Sequence, residues 1–339
     1  MSTLENPSVG SYDVHRDYWR QVKESEGFDV ENVSLPPNAG VVISGLMPYD
    51  CVRYSYPYPV LVNLYAKVGL HRYNMFKETN FQLDSLVKFN MLPTFLSSFR
   101  ITLLAHDPAF GPLEKTFQVK VDEEKVNCLH IACTISRLKD EVIPKKPFVP
   151  PFHYAAKEDG FFKDELLADS FFNGELPDWP PDDALNDGKR FYLVKESEWQ
   201  ANDWISMYLE LVICADGRLT EKVTSANFYM HVFSQLEILE VAIETGIEDV
   251  EPPNERLKAT SANVYIKFKG LANVLTRRMI FESGEHVERK AVVRRVLDKH
   301  GDLTISGKFC GGQSTQKQPS MALQNGKKIQ SCKKRPRSD

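Results

Sequence analysis

Between residues 59 and 138 the hydrophobic period changes once, from that of a helix to that of a strand, and this limits the folds open to the chain. Leu61, Leu64, Tyr65 and Val68 fall at i, i+3, i+4 and i+7, one face of a helix. Pro59 suits its first turn, where a missing amide costs nothing. Asn74 suits its C-terminal cap, because Asn tolerates left-handed dihedrals. From Phe81 onward the apolar residues alternate. Phe81, Leu83, Val87 and Phe89 share one parity, Phe99, Ile101, Leu103 and Ala105 repeat it, and Phe117, Val119 and Val121 follow. Leu129, Ile131, Cys133 and Ile135 close the series, and residues of one parity line one face of a strand. One helix and four alternating strands on short connections predict an α+β unit at 59–138, an antiparallel sheet that buries one face on the helix. HDPAFGP at 106–112 is one of its turns by composition.

The rest of the chain divides around that unit. Residues 1–58 show weak periodicity and read as an irregular segment, with Val41-Val42-Ile43 as one short strand. Residues 139–188 read as a Pro-rich and acidic linker. Its PKKPFVPP (144–151) cannot lie inside a helix or a central strand, because proline lacks the amide donor. FFKDELLADSFF (161–172) reads as a short helix, whose Phe161, Phe162, Leu166, Phe171 and Phe172 either pack back on a domain or dock a partner. A second α+β unit is expected at 189–309. Asp203 can cap a helix carrying Trp204, Met207, Tyr208, Leu211 and Val212. Strand-like runs follow at 227–233, 236–244, 263–270 and 288–297, and a turn at 298–302 leads into Leu303-Thr304-Ile305. The expected class is α+β, with the second unit repeating the first. Residues 310–339 read as a disordered basic tail.

Composition narrows the function. The chain has 42 basic and 46 acidic residues, a net charge of −4, so no basic face for nucleic acid is expected. MSTLENPSVG is polar and is followed by no apolar run, and no stretch approaches the roughly 20 apolar residues of a membrane span. A soluble intracellular protein is expected, nuclear or cytoplasmic. Cys51, Cys128, Cys133, Cys214, Cys310 and Cys332 are scattered without a CxxC pair and read as free thiols outside any zinc pattern.

The motifs that could carry chemistry weaken on inspection. Gly301 to Gly307-Lys308 imitates a phosphate loop, but the glycine spacing is one residue too long and Phe309 stands where Ser or Thr would hold magnesium. It reads as a hairpin. His286-Val287-Glu288 has no downstream Pro-Cys-x-x-Cys to bind zinc. Cys128 and His130 share a strand face, yet a thiolate–imidazole pair needs a cleft and a third, orienting group, and nothing in the sequence marks either. No GxSxG, HExxH or GxGxxG occurs. A non-enzyme is expected, without cofactor, metal or small-molecule ligand, working through a protein partner. Lys333, Lys334, Arg335 and Arg337 fit a short basic nuclear-import pattern. Gly69 costs a helix interior about 1 kcal/mol against Ala, so it implies close packing or early unwinding. His71 has no ligand-spaced partner and reads as structural.

AKVGLHRYN (66–74), TNFQL (79–83), NDWISMYLEL (202–211), VAIETGIEDVEPPNERLKA (241–259) and ERKAVVRRV (288–296) together resemble a plant family. It is the crucifer set called uncharacterised protein family seven-two-five, also labelled male-sterility-five-like, and the likeness covers nearly the whole chain. The resemblance implies a cystatin/monellin-like fold and no established activity. Cystatin-likeness also raises an alternative, a papain-type protease inhibitor with degenerate motifs. Inhibitory cystatins use an N-terminal Gly, a Q-x-V-x-G hairpin and a second hairpin with Trp. Neither NMLPTFLSS (90–98) nor HDPAFGP carries those signatures, and Val41-Val42-Ile43-Ser44-Gly45 lacks the Gln.

Overall fold

The computed structural model describes residues 8–34, 45–92, 94, 96–126, 128–141, 170–181, 183–217, 233–270 and 288–310. Helix α2 starts with Pro59 in its first turn and runs to Lys77, one turn beyond the expected cap. Asn74 instead ties down the exit. Its Oδ1 accepts from the Phe81 amide at 2.8 Å and from Thr79 Oγ1 at 2.9 Å, and its Nδ2 donates to the Phe81 carbonyl. The left-handed cap falls on Glu78. Strands β2 (Gln82–Leu92), β3 (Ser98–His106), β4 (Lys115–Glu123) and β5 (Leu129–Leu138) follow, antiparallel in order. In β2, irregularities between Leu83 and Ser85 and between Leu86 and Lys88 shift the parity, so Leu86, Phe89 and Met91 are buried and Val87 is not. A bulge adds a residue and turns the following side chains over. Gly69 is explained by contact: a Cβ there would stand 2.3 Å from both methyl groups of Val119 on β4. The helix continues past it, so close packing, not unwinding, calls for the glycine.

The second half repeats this order of elements. Short β6 (Phe191–Leu193) precedes α3 (Glu196–Gln200) and α4 (Asp203–Gly217), as short β1 (Met47–Asp50) precedes α2. Then come β7 (Glu237–Glu244), β8 (Ser261–Lys269), β9 (Arg289–Leu297) and β10 (Leu303–Cys310). The Gly301 segment is the β9–β10 hairpin turn, in which Asp298 Oδ1 accepts from the amides of His300 and Asp302.

The ten strands among the described residues form one sheet, ordered β1-β2-β3-β4-β5-β10-β9-β8-β7-β6, because β5 and β10 pair between residues 129–133 and 303–307. Helices α2 and α4 lie on one face, and a continuous apolar cluster beneath them includes Tyr65, Val119, Tyr208, Val264 and Ile305. Burying both helices on alternating strands is the driving force, at about 25 cal/mol per Å² of apolar surface removed from water.

The other face is covered by the segments that precede each half. Helix α1 (Ser8–Glu24) occupies part of the stretch expected to be irregular. Its buried Tyr18, Trp19 and Val22 lie within five positions, too short a stripe to register as a period, and pack on Leu46 and Leu92. In the second half, Leu185 packs with Phe191, Ala242, Tyr265 and Val292. The Val41–Ile43 strand, most of the 161–172 helix, His286 and the 311–339 tail lie outside the described residues, as does the 227–233 strand except for Phe233.

Candidate functional site

On the covered face the strand registers line up a row of polar side chains across the second half and the seam. Ser306 stands opposite His130 on one side and Arg294 on the other. Arg294 stands opposite Asn263, and Asn263 opposite Glu244. Their strand neighbours, among them Ile131, Ile305, Val293, Val264 and Ile243, point into the core beneath the helices, as alternation requires.

The row is bonded in two stretches, one from Arg190 to Arg294 and one from Ser306 to Glu124, which meet only as register neighbours at Arg294 and Ser306. Arg190 Nε donates to Glu244 Oε1 at 2.5 Å, Asn263 Nδ2 to Glu244 Oε2 at 3.1 Å, and Arg294 Nε to Asn263 Oδ1 at 3.0 Å. Tyr265 donates to Glu244 at 2.7 Å, and burial, then this bond, pushes the phenol well above its usual range. The remaining guanidinium donors of Arg294 reach the carbonyls of Phe172, Gly174 and Glu175, which closes the inner part of the row under the covering segment. Burial pulls the Arg294 guanidinium below its ordinary value. The outer end is different. Ser306 Oγ and His130 Nδ1 are 2.6 Å apart, and His130 Nε2 is 3.0 Å from Glu124 Oε2. His130 and Glu124 keep 24% and 45% of their side-chain surface in solvent, so a small molecule can reach them. With Glu124 accepting from Nε2–H, the lone pair of Nδ1 faces the Ser306 hydroxyl, and Ser306 is the donor.

A second cluster joins the halves on the helix side. His71 on α2 bonds Tyr208 on α4 at 2.9 Å and stacks on Trp204 at 5.7 Å. The Arg295 guanidinium lies 4.4 Å over the Trp204 ring and donates to the Leu257 carbonyl. Burial, and then the Arg295 charge, hold the His71 imidazolium well below the usual histidine range. A neutral ring accepting from Tyr208 fits both. The expected structural role of His71 describes its bonding.

The structure separates or re-partners the other expected residues. Cys128 is exposed, while His130 takes Ser306 and Glu124 as its partners. The orienting group that the sequence did not mark is thus present. Only strand register could have found it, since Ser306 is 176 residues from His130. Glu288 pairs with Lys267 at 2.8 Å. The described cysteines, Cys51, Cys128, Cys133, Cys214 and Cys310, are free thiols, and burial pushes the Cys133 thiol up to about 12. Lys333, Lys334, Arg335 and Arg337 lie outside the described residues. Among the described residues no group of three or more His, Cys, Asp or Glu side chains is placed to hold a metal ion, and no helix is long and apolar enough to cross a membrane. HDPAFGP is the β3–β4 turn, whereas the β2–β3 and β4–β5 connections share the other end of this half. The second loop of a cystatin wedge would therefore be Glu124–Cys128, which also lacks Trp.

Fold and site together define an α+β protein with helices on one ten-stranded antiparallel sheet among the described residues. The profile of the family described as Protein MS5 matches residues 176–305. Two UPF0725 proteins of Arabidopsis thaliana are 54% and 52% identical, over 98% and 99% of this chain and 99% of each relative. The crystal structure of MS5 from Brassica napus is 28% identical with a TM-score of 0.52, covering 74% of this chain and 97% of that one. The chain belongs to the UPF0725 (MS5) family of crucifer proteins.

Proposed function

We propose that the protein is a non-enzymatic interaction module, built of two cystatin-like units (59–138 and 189–309) that share one sheet, and that it binds a protein partner. The observation that carries this reading is the outer edge of the first half. There Met47, Val52, Tyr54 and Tyr58 expose 45%, 74%, 70% and 47% of their surface within one short strand and the loop after it. Exposed apolar and aromatic side chains grouped on one edge are the usual mark of a protein contact. The tandem reading is supported by the matching element order of the halves, a short strand, a helix and four antiparallel strands. Nuclear entry through Lys333, Lys334, Arg335 and Arg337 belongs to the same proposal, tested by a fluorescent fusion with and without 333–337.

The test compares affinity capture from crucifer tissue by the wild type and by a Val52→Ser/Tyr54→Ser variant of unchanged melting temperature. Partners lost with the patch support the reading, and identical captured sets overturn it. A papain inhibition assay separates the rival: sub-micromolar inhibition would replace the module with a protease inhibitor.

A further inference from the structure

We propose that Ser306 is an activated nucleophile that accepts the acyl group of small activated carboxylic esters, with His130 as its general base and Glu124 as the group that orients the base. The inference goes beyond the interaction reading and does not depend on it.

Two strands and a connecting loop meet in this arrangement. Ser306 comes from β10, His130 from β5 and Glu124 from the connection after β4. The contacts, 2.6 Å from Ser306 Oγ to His130 Nδ1 and 3.0 Å from His130 Nε2 to Glu124 Oε2, are those of a nucleophile, its base and an orienting carboxylate. The imidazole uses Nδ1 towards the serine and Nε2 towards the carboxylate, and the carboxylate selects the tautomer that leaves Nδ1 free to take a proton. Arg294 stands across the ladder from Ser306, and Lys308 follows on the same face of β10. Their donors are already committed, those of Arg294 to Asn263 and three carbonyls and those of Lys308 to Asp178 and the Leu176 carbonyl, so neither offers a hydrogen bond to a developing oxyanion.

In the step, Ser306 Oγ forms a bond to the ester carbonyl carbon while His130 Nδ1 takes the hydroxyl proton. The bond to the leaving alkoxide then breaks, and the alkoxide takes that proton from His130. The product is an O-acyl Ser306 and a free alcohol. No backbone oxyanion hole is at hand, because β10 pairs on both sides along Leu303–Gly307 and its amides serve the two ladders. Hydrolysis of the acyl-serine therefore lags, and the reaction stops near one acyl group per chain. A stoichiometric modification site results, not a turnover enzyme.

The full-length protein is incubated with p-nitrophenyl acetate, and acetylated peptides are located by mass spectrometry. The expected result is one acetyl group on Ser306, lost in Ser306→Ala, slowed on the order of 100-fold in His130→Ala and slowed less in Glu124→Gln. A fluorophosphonate probe on the wild type gives a second readout that needs no variant, with Ser306 the expected labelled residue. Acetylation confined to lysines and the N-terminus, no label on Ser306, or equal rates in wild type and a folded His130→Ala would each overturn the proposal. None of these outcomes bears on whether the Val52/Tyr54 patch binds a partner.

Discussion

The two halves solve one packing problem with glycine placed on opposite partners. In the first, the glycine is on the helix: Gly69 lets α2 settle against Val119 of the sheet. In the second it is on the strand: a Cβ at Gly307 would stand 2.7 Å from Val212 of α4. The covered faces differ more. Over the first half, the turn after α1 takes Asn90 Nδ2 on the carbonyls of Gly27 and Phe28, and Arg100 Nε on that of Glu26. Over the second, one guanidinium, Arg294, serves three carbonyls and Asn263 at once. The first cover is also pinned by ion pairs, Arg137 with Glu26 at 2.5 Å and Lys88 with Asp29 at 2.7 Å. The second is also pinned by Lys308 on the Leu176 carbonyl and Asp178, but there Arg294 alone serves four acceptors, so its loss should weigh heavily.

The largest expected effect tests that asymmetry. Arg294→Ala leaves Asn263 Oδ1 and the carbonyls of Phe172, Gly174 and Glu175 without their donor, and should cost about 3 kcal/mol or more. Arg100→Ala takes the donor from the Glu26 carbonyl and from Ser98 Oγ and should cost about 1–3 kcal/mol. Urea midpoints of the two variants decide, and equal losses would erase the distinction. Next comes the helix contact. Gly69→Ala should destabilise by about 1–3 kcal/mol through overpacking, less what better helix propensity returns, and Val119→Ala should restore part of the loss. Gly307→Ala should cost less, because a Cβ there would stand 2.7 Å from Val212 and 2.9 Å from Leu129, against 2.3 Å from two methyl groups at Gly69.

A smaller effect sharpens the junction between the halves. The fold prefers neutral His71. As the pH drops below about 6.5 the unfolded chain takes up a proton that the folded chain refuses, so stability falls towards the depressed folded value. Asp216 acts in the opposite sense: burial raises its carboxyl to about 6, so its contribution is present at acid pH and is lost as the pH rises through that value. His71→Gln should remove the acid-side loss, and Asp216→Asn the opposing gain, in urea midpoints compared at pH 5 and pH 7. Least of all, Val52→Ser should change stability by no more than about 0.5 kcal/mol, since its side chain is in solvent.

Much of the fold was legible because local period follows from local burial. The α2 stripe, the strands at 99–105, 117–121 and 129–135, and the hairpin reading of Gly301–Gly307 all rest on neighbours within a few residues. Bulges hid the parity of Val87, and α1 was missed because its buried stripe is short. The candidate site was not legible. Cys128 and His130 could be placed on one strand face, yet the partners that matter, Ser306 and Glu124, depend on which strand lies beside β5.

By itself the sequence determined the α+β class, which follows from spacing within single elements. The family came from a resemblance of whole blocks, and at position 69 close packing and early unwinding stayed open. Only the tertiary structure decided that β5 pairs with β10, merging the halves into one sheet with one core, and that the row from Glu124 through His130, Ser306, Arg294 and Asn263 to Glu244 exists. Such a row depends on the register between strands far apart in the chain, where slipping one residue would turn every polar side chain to the other face. Local alternation says which residues share a face, and long-range pairing says which of them meet.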